Sequence, residues 1–315
     1  MSHHQRLCRL ARDGPMQIPT DPGPFKCFRN AHNIETMRIG ANTLIWTAGF
    51  GREHIPLLAE IKEHGFDLVE IARFDWTDYP ATEIRRELEK LDLGVSYCTA
   101  FGSPVKSLVH EDAAARRAGI DFMKQAIDNA AATGGKVIAG PFHSPVGFLP
   151  GRRRTSDEWK WEVAALHELG EYALRADVTL AVEPLNRFES YFLNTAADAA
   201  QLCNEVNHPN IGVLYDTFHA HIEEKDQGHA IRTVGHHLKH FHSCENDRGT
   251  PGSGQVDWPT VFTALRDVNY QGALVIESFG YAIKELAAAA CIWRDLAASP
   301  DRIAWDGIGF LRSHA

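Results

Sequence analysis

The sequence predicts an α/β protein whose main body is a (β/α)8 barrel, the TIM-barrel architecture. Eight short apolar stretches alternate with eight helical patterns, and such strict alternation is typical of a parallel sheet. The eight units together occupy about 280 residues, which is the size of a closed barrel. The first apolar stretch has no GxGxxG turn after it, and this disfavours the alternative fold, an open doubly wound sheet.

The predicted elements follow from the spacing of apolar residues. The strands cover residues 38–46, 66–71, 94–101, 136–140, 178–183, 211–215, 237–242 and 273–277. The helices cover residues 53–64, 81–90, 112–132, 156–175, 195–205, 222–235 and 257–268, and an eighth follows at 281–298. Apolar residues recur with a helical period in these segments, as at Ile55, Leu58 and Ile61. Asp112 and Thr195 suit the N-cap positions of two helices.

Residues 1–36 differ in composition from the rest of the chain. Four prolines lie between positions 15 and 24, and no periodic apolar pattern is present. This segment also lacks the continuous apolar core of a secretory signal. We therefore expect a mobile N-terminal extension over residues 1–36 and a single barrel domain over residues 37–315.

The composition disfavours several classes of protein. Hydrophobic residues make up 44% and charged residues 23%, which argues against a disordered chain. The formal net charge of −9 disfavours a protein that coats nucleic acid or an anionic membrane. The longest apolar run, Leu286–Trp293, has eight residues, whereas a membrane-spanning helix needs about 20. The six cysteines are scattered without a CxxC pair, which is typical of a cytoplasmic protein.

Polar residues stand at the ends of the fifth to eighth predicted strands: Glu183, Asp216, His242 and Glu277. A barrel carries its chemistry at these carboxyl ends, so we expect the four side chains to meet at one rim. Without a cation, three crowded carboxylates would repel one another and at least one would stay protonated. This oxygen-rich set suits Mn²⁺, Mg²⁺ or Co²⁺ better than a thiolate-type zinc site. Two positions of an octahedral ion would remain for two adjacent oxygen atoms of a substrate.

The loops after these strands carry three further candidates. Glu189 follows the first glutamate by six residues, His219 follows the aspartate by three, and Arg248 follows the histidine by six. Each lies in a predicted strand-to-helix loop and could point into the same pocket. Glu189 and Arg248 could instead pair with each other or cap helices, and His219 could be an ordinary helix residue.

In combination, these motifs resemble the D-tagatose 3-epimerase/D-allulose (psicose) 3-epimerase family of the xylose-isomerase-like barrel superfamily. The resemblance covers about residues 37–300 and is most specific in the C-terminal half. It implies a metal ion, Mn²⁺ first, held by Glu183, Asp216, His242 and Glu277. It implies substrate contacts for Glu189, His219 and Arg248. It also implies a homodimer or a homotetramer.

The N-terminal half matches the family more loosely. Trp46 resembles the aromatic residue that the family carries after the first strand. Cys98 lies near a pocket-lining position at the end of the third strand. Glu70 ends the second strand, where it is either a substrate contact or a structural hydrogen-bond acceptor. We therefore add Trp46, Cys98 and Glu70 to the substrate-binding candidates.

The resulting hypothesis is a metal-dependent ketose 3-epimerase that acts on free ketoses of the D-tagatose, D-fructose or L-ribulose type. Inversion at C3 requires that one group removes a proton and another returns a proton to the opposite face. Glu183 and Glu277 come from different strands of the predicted barrel and suit these two roles, which the resemblance also implies. The expected partner is a small sugar, with neither nucleic acid nor membrane involved.

Three alternatives remain open at this stage. One is another enzyme on the same barrel, such as a hydroxypyruvate isomerase or an inosose dehydratase. A second is an endonuclease of the apurinic-site type, which the net charge of −9 disfavours. The third is a metal-free sugar-binding relative without activity, which the presence of all four ligand residues disfavours.

Overall fold

The structure, a computed structural model, describes residues 37–102, 106–279, 281 and 283–314. Its strands, numbered β1 to β8 in chain order, are Arg38–Asn42, Leu68–Ala72, Gly94–Cys98, Val137–Gly140, Thr179–Val182, Ile211–Asp216, Leu238–His242 and Ala273–Ile276. All eight strands are parallel, each pairs with the next, and β8 pairs with β1 to close the barrel. The predicted (β/α)8 barrel is confirmed. The predicted extension at 1–36 lies outside the described residues.

The helices connect successive strands. Numbered α1 to α10 in chain order, they are Leu57–Glu63, Ala81–Leu91, Ala113–Thr133, Ser156–Ala176, Ala196–Val206, Thr217–Glu223, Gln227–Val234, Trp258–Asp267, Lys284–Ala289 and Pro300–Arg312. Short 3-10 turns occur at Thr43–Ile45, Arg52–His54 and Gly235–His237. In the part of the chain that the structure describes, no helix has the length and apolar character that crossing a membrane requires.

The predicted eighth helix at 281–298 is wrong in extent. The chain forms the short α9 there, and Cys291 then adopts a left-handed backbone conformation with φ of 55°, which does not continue a helix. The longer α10 begins at Pro300 after the N-cap residue Ser299. Proline fits the first turn of a helix because its missing N–H would have no partner there.

The predicted helix at 222–235 is also wrong, because two helices occupy this region. Asp216 caps α6 by accepting a hydrogen bond from the backbone N–H of Phe218 at 2.7 Å. Asp226 caps α7 in the same way through His229 N–H at 2.9 Å. The earlier start of α6 places His219 in its first turn, directly above the barrel.

The first predicted strand, at 38–46, is too long. Asn42 ends β1 because its side chain accepts a hydrogen bond from Leu44 N–H at 2.8 Å and caps the 3-10 turn that follows. The third predicted strand, at 94–101, likewise ends early, at Cys98.

Side-chain alternation along the strands separates the core from the barrel interior. The main core lies between strands and helices, where the rings of Tyr215 and Phe241 stack at 5.6 Å. Their neighbours Asp216 and His242 therefore point to the inside of the barrel. The inward positions are apolar lower in β8, at Val275, and polar at its carboxyl end, at Glu277.

Candidate active site

Four predicted ligand residues meet inside the carboxyl end of the barrel. Glu183 and Glu277 directly follow β5 and β8, and Asp216 and His242 are the last residues of β6 and β7. Each offers one ligand atom, and these atoms all lie within 4.8 Å of one another. All four residues are at least 96% buried, so their charges interact with little screening by water.

The distances within the cluster show which atoms face its centre. His242 Nδ1 lies 3.3 Å from Glu277 Oε2 and 3.8 Å from Asp216 Oδ2. The other oxygen of Asp216 is occupied as the cap of α6. Asp216 therefore does two things: Oδ1 holds the helix, and Oδ2 faces the cluster.

Burial and like charge disturb the protonation of this cluster. Burial raises the pKa of Glu183 well above its usual range, and the negative charge of Glu277 raises it further. Burial also acts to raise the pKa of Asp216, but the positive charge of Arg248 outweighs it and holds that pKa well below its usual range. Burial acts to lower the pKa of His242, but Glu277 and Glu70 raise it well above its usual value. The crowded acids therefore favour added positive charge.

The residues fit a divalent cation. Glu183 Oε1 and His242 Nδ1 are buried and have no hydrogen-bond partner among the described residues. A buried polar atom without a partner is costly, and both atoms face the same cluster of carboxylate oxygens. Three carboxylates with one imidazole form a donor set suited to a hard or intermediate ion such as Mn²⁺.

Arg248 lies beside the cluster. Its Nη1 donates hydrogen bonds to Asp216 Oδ2 at 2.6 Å and to Glu277 Oε2 at 2.8 Å. The guanidinium carbon lies over two aromatic rings, 4.0 Å from the ring centre of Phe218 and 4.9 Å from that of Phe279. Its backbone is left-handed, with φ of 67°, and its carbonyl accepts a hydrogen bond from Ser278.

The loop that carries Arg248 is organised by Glu245, a residue that the sequence analysis missed. Glu245 is fully buried, and its Oε1 accepts hydrogen bonds from Gly252 N–H and from the indole N–H of Trp258, both at 2.7 Å. Its position three residues after His242, at a strand end, is the only signal that the sequence offers.

His219 and Glu189 are joined by a second missed residue, Asn186. The Nδ2 atom of Asn186 lies 2.8 Å from Glu189 Oε1 and 2.9 Å from His219 Nδ1. His219 Nε2 lies 2.9 Å from Arg248 Nη2 and 3.6 Å from Glu183 Oε1. Burial, with help from Arg248, lowers the pKa of His219 to about 3, so the ring is neutral near pH 7. The structure thus brings Glu189, His219 and Arg248 to one side of the ligand cluster.

Comparison with known proteins agrees with this geometry. The model of the xylose isomerase-like TIM barrel family matches residues 58–314. A probable ketose 3-epimerase of Synechocystis sp. is 36% identical over 88% of this chain and 96% of its own length. The D-psicose 3-epimerase of Agrobacterium fabrum is 35% identical over 81% of this chain and 88% of its own length. A crystal structure of a D-psicose 3-epimerase in the presence of D-fructose superposes with a TM-score of 0.83 at 31% identity, covering 88% of this chain and 99% of the other.

The chain belongs to the tagatose/psicose 3-epimerase family of xylose isomerase-like barrels.

Two further substrate-binding candidates, Cys98 and Trp46, lie in different parts of the structure. Cys98 Sγ lies 3.9 Å from Glu277 Oε1, at the wall of the cluster. The indole N–H of Trp46 donates to Asp301 Oδ1 at 2.7 Å, and its ring packs on Trp305. These contacts place Trp46 against α10, a helix that lies beyond the predicted segment at 281–298.

Glu70 points into the barrel below the cluster. It is fully buried, and its carboxylate contacts His240 and His242. Burial acts to raise the pKa of Glu70, but the two imidazoles outweigh it and hold that pKa well below its usual range. Both oxygens are engaged by protein groups, which favours the structural-acceptor interpretation over substrate contact.

Proposed function

We propose that this protein is a divalent-metal-dependent ketose 3-epimerase that interconverts C3 epimers of free ketoses. The observation that carries the proposal is the pair Glu183 and Glu277, two buried glutamates that approach one cluster from β5 and β8. Candidate substrate pairs are D-tagatose/D-sorbose, D-fructose/D-allulose and those of the L-ribulose type. The names of the relatives support this class of substrate, since they include a D-psicose 3-epimerase and an L-ribulose 3-epimerase.

The cation would be held by Glu183, Asp216, His242 and Glu277, with Mn²⁺ first and Mg²⁺ or Co²⁺ as alternatives. When bound, it would act as a Lewis acid for negative charge that develops on two neighbouring substrate oxygens. The two unpartnered ligand atoms, Glu183 Oε1 and His242 Nδ1, support this assignment.

The two glutamates would move the proton at C3. One carboxylate removes it from one face of the carbon, and the other returns a proton to the opposite face, which inverts the configuration. Burial raises the pKa of Glu183 in the metal-free cluster, and a bound cation would offset this shift and keep the carboxylate ionised, as a proton acceptor must be. In the reverse reaction the two residues exchange roles.

The neighbouring residues would hold the sugar. Glu189 and His219 both form hydrogen bonds with the side chain of Asn186, and they would bind hydroxyl groups near C1 and C2 of the sugar. Arg248, which contacts two aromatic rings, would supply positive charge to the oxygen on which charge develops. Cys98 would line the pocket next to Glu277.

We also propose that the protein acts in the cytoplasm as a homodimer or homotetramer. The four cysteines within the described residues, Cys98, Cys203, Cys244 and Cys291, are all free, which supports a reducing compartment. Size-exclusion chromatography with light scattering would measure the oligomer.

The test is a product assay with three forms of the protein: as purified, stripped by a chelator, and reloaded with Mn²⁺, Mg²⁺ or Co²⁺. Each form is incubated separately with D-fructose, D-tagatose, L-ribulose, hydroxypyruvate and an inosose, and the products are separated by chromatography. We expect the C3 epimer of at least one ketose, loss of activity on stripping and recovery on reloading. Inversion at C4, aldose formation, or turnover only of hydroxypyruvate or an inosose would overturn the proposal. Sugar binding without turnover by the reloaded protein would identify an inactive relative.

A further inference from the structure

A hydrogen-bonded cluster lies in the barrel interior beneath the candidate ligands. Glu70 Oε1 is 2.7 Å from His242 Nε2 and accepts a hydrogen bond from Asn42 Nδ2 at 2.8 Å. Glu70 Oε2 is 2.5 Å from His240 Nε2 and accepts a hydrogen bond from Ser96 Oγ at 3.2 Å. All five side chains are at least 97% buried.

The spacing identifies this cluster as a hydrogen-bond network and not as a second metal centre. Glu70, His240 and His242 are near enough to offer one ligand atom each to an ion. Two ligands bound to one ion at roughly 2.1 Å would, however, lie about 3 Å or more from each other. The observed separations of 2.5 and 2.7 Å between oxygen and nitrogen are those of hydrogen bonds to a carboxylate.

The chemistry of the carboxylate fixes where the protons lie. An ionised carboxylate only accepts hydrogen bonds, so each imidazole must donate through Nε2–H. For His242, this leaves Nδ1, on the other side of the ring, as the atom that can bind a cation, which would displace any proton from it. That Nδ1 is the atom that faces Glu277 and Asp216 and that has no partner among the described residues.

The same network reaches a second candidate ligand. Asn42 Nδ2 lies 2.8 Å from Glu70 Oε1 and 3.4 Å from Glu277 Oε1. Asn42 is itself held at the end of β1 because its Oδ1 accepts from Leu44 N–H. Glu70 therefore connects strands β1, β2, β3 and β7 below the cluster, and His242 receives its orientation from this connection.

We propose that Glu70 is a positioning residue that holds His242 as the Nε2–H tautomer and aims Nδ1 at the cation. His240 and Ser96 saturate the other oxygen of Glu70 and keep its carboxylate from turning away. The inference rests on the proposed function only in that a cation occupies the cluster. Carboxylate partners of this kind tune metal-binding histidines in proteins, and their loss weakens metal binding by about 10- to 100-fold.

The first measurement is the ring tautomer of His242 in the metal-free protein. Long-range ¹H–¹⁵N correlation of histidine-labelled protein distinguishes the two tautomers, and the H242N variant assigns the signal. The spectra are recorded at a pH high enough to leave the ring neutral, and we expect the proton on Nε2 in the wild type. A neutral ring protonated at Nδ1 would overturn the proposal, and the measurement needs neither metal nor substrate.

The second measurement is Mn²⁺ affinity of wild type, E70Q and a control, E162Q, by isothermal titration calorimetry. Glutamine replaces one acceptor oxygen of Glu70 by a donor, so one imidazole loses its acceptor, and we expect affinity to fall about 10- to 100-fold. Glu162 is a buried carboxyl on α4, and E162Q should bind Mn²⁺ like the wild type. Equal affinities of E70Q and wild type would overturn the proposal.

A third variant keeps the test decisive if E70Q does not fold. E70D retains the charge but shortens the side chain by one methylene, and we expect it also to bind Mn²⁺ more weakly while remaining folded by circular dichroism. Wild-type affinity in E70D would overturn the proposal. Failure of the wild type itself to bind Mn²⁺ would instead contradict the proposed metal-dependent function, while the tautomer measurement would still judge Glu70.

Discussion

At the scale of single residues, the candidate site depends on which side chains point into the barrel. Glu183, Asp216, His242 and Glu277 could be selected from sequence because each stands at a strand end, where alternation determines its direction. Asn186 and Glu245 could not, because their partners are set by the folding of loops. Glu70 was predicted to end the second strand, but it lies in the middle of β2, and its contact with His242 crosses from β2 to β7. Only closure of the barrel creates that contact.

The central residue-scale prediction concerns the two glutamates. Replacing Glu183 or Glu277 by glutamine removes a carboxylate that we propose transfers a proton. Turnover should therefore fall about 100- to 10,000-fold. The matched control is E63Q, which changes an exposed glutamate at the end of α1 and should keep wild-type turnover. The three variants and the wild type would be assayed at saturating Mn²⁺ with the best ketose. Near-native activity of E277Q with bound metal would refute a mechanism with two carboxylates.

At the scale of elements, capping residues decided how well the helices could be predicted. The segment predicted at 156–175 is α4, which begins with a capping box: Thr155 Oγ1 accepts from Glu158 N–H at 3.2 Å, and Glu158 Oε2 accepts from Thr155 N–H at 2.6 Å. The segment predicted at 222–235 failed because the cap lay earlier, at the end of β6. Apolar periodicity alone did not locate that break.

Glu158 also ties α4 to the neighbouring loops. Its carboxylate pairs with Arg152 through two hydrogen bonds of 2.8 and 3.0 Å and accepts from the hydroxyl of Tyr191 at 2.8 Å. Burial acts to raise its pKa, but Arg152, Thr155 and Tyr191 outweigh it and lower the pKa of Glu158 from its usual 4.5 to about 2. The folded protein therefore binds this proton less readily than the unfolded chain does.

The sign of this shift gives a stability prediction. The contribution of Glu158 is fully present above about pH 5 and is lost as the pH falls towards 2. The variant E158Q should be less stable than wild type at pH 7, by about 1 kcal/mol for the cap alone. The difference should shrink at pH 3, as measured by urea unfolding at both pH values. A difference that does not change with pH would contradict the assigned role of the charge.

At the scale of the whole molecule, the barrel was predictable because strands and helices alternate regularly along the chain. The same alternation determines which polar residues stand at strand ends. The last helix was not predictable, because α10 begins at a Ser-Pro signal beyond the predicted segment. That error also hid the contact between Trp46 and Asp301. The interpretation of residues 1–36 as a mobile extension stays a prediction.

The crowded acids at the carboxyl end of the barrel predict that metal stabilises the entire fold. A ligand at 100 times its dissociation constant adds about 2.7 kcal/mol to the free energy of unfolding. For a chain of this size, that corresponds to a rise in Tm of roughly 4–5 °C. Scanning calorimetry with Mn²⁺ and with a chelator would measure it, and the variant D216N should lose most of the rise. Equal Tm values in the two conditions would contradict metal binding at this site.

The most direct test of proton transfer at C3 is solvent deuterium exchange by the Mn²⁺-loaded wild-type protein. The protein is incubated with its best ketose in D₂O, and each carbon of substrate and product is followed by NMR. Because Glu183 and Glu277 would exchange the C3 proton with solvent, we predict deuterium at C3 of the epimer. No deuterium should appear there after the metal is stripped. An epimer that keeps hydrogen at C3, or deuterium at C1 with formation of an aldose, would contradict the account.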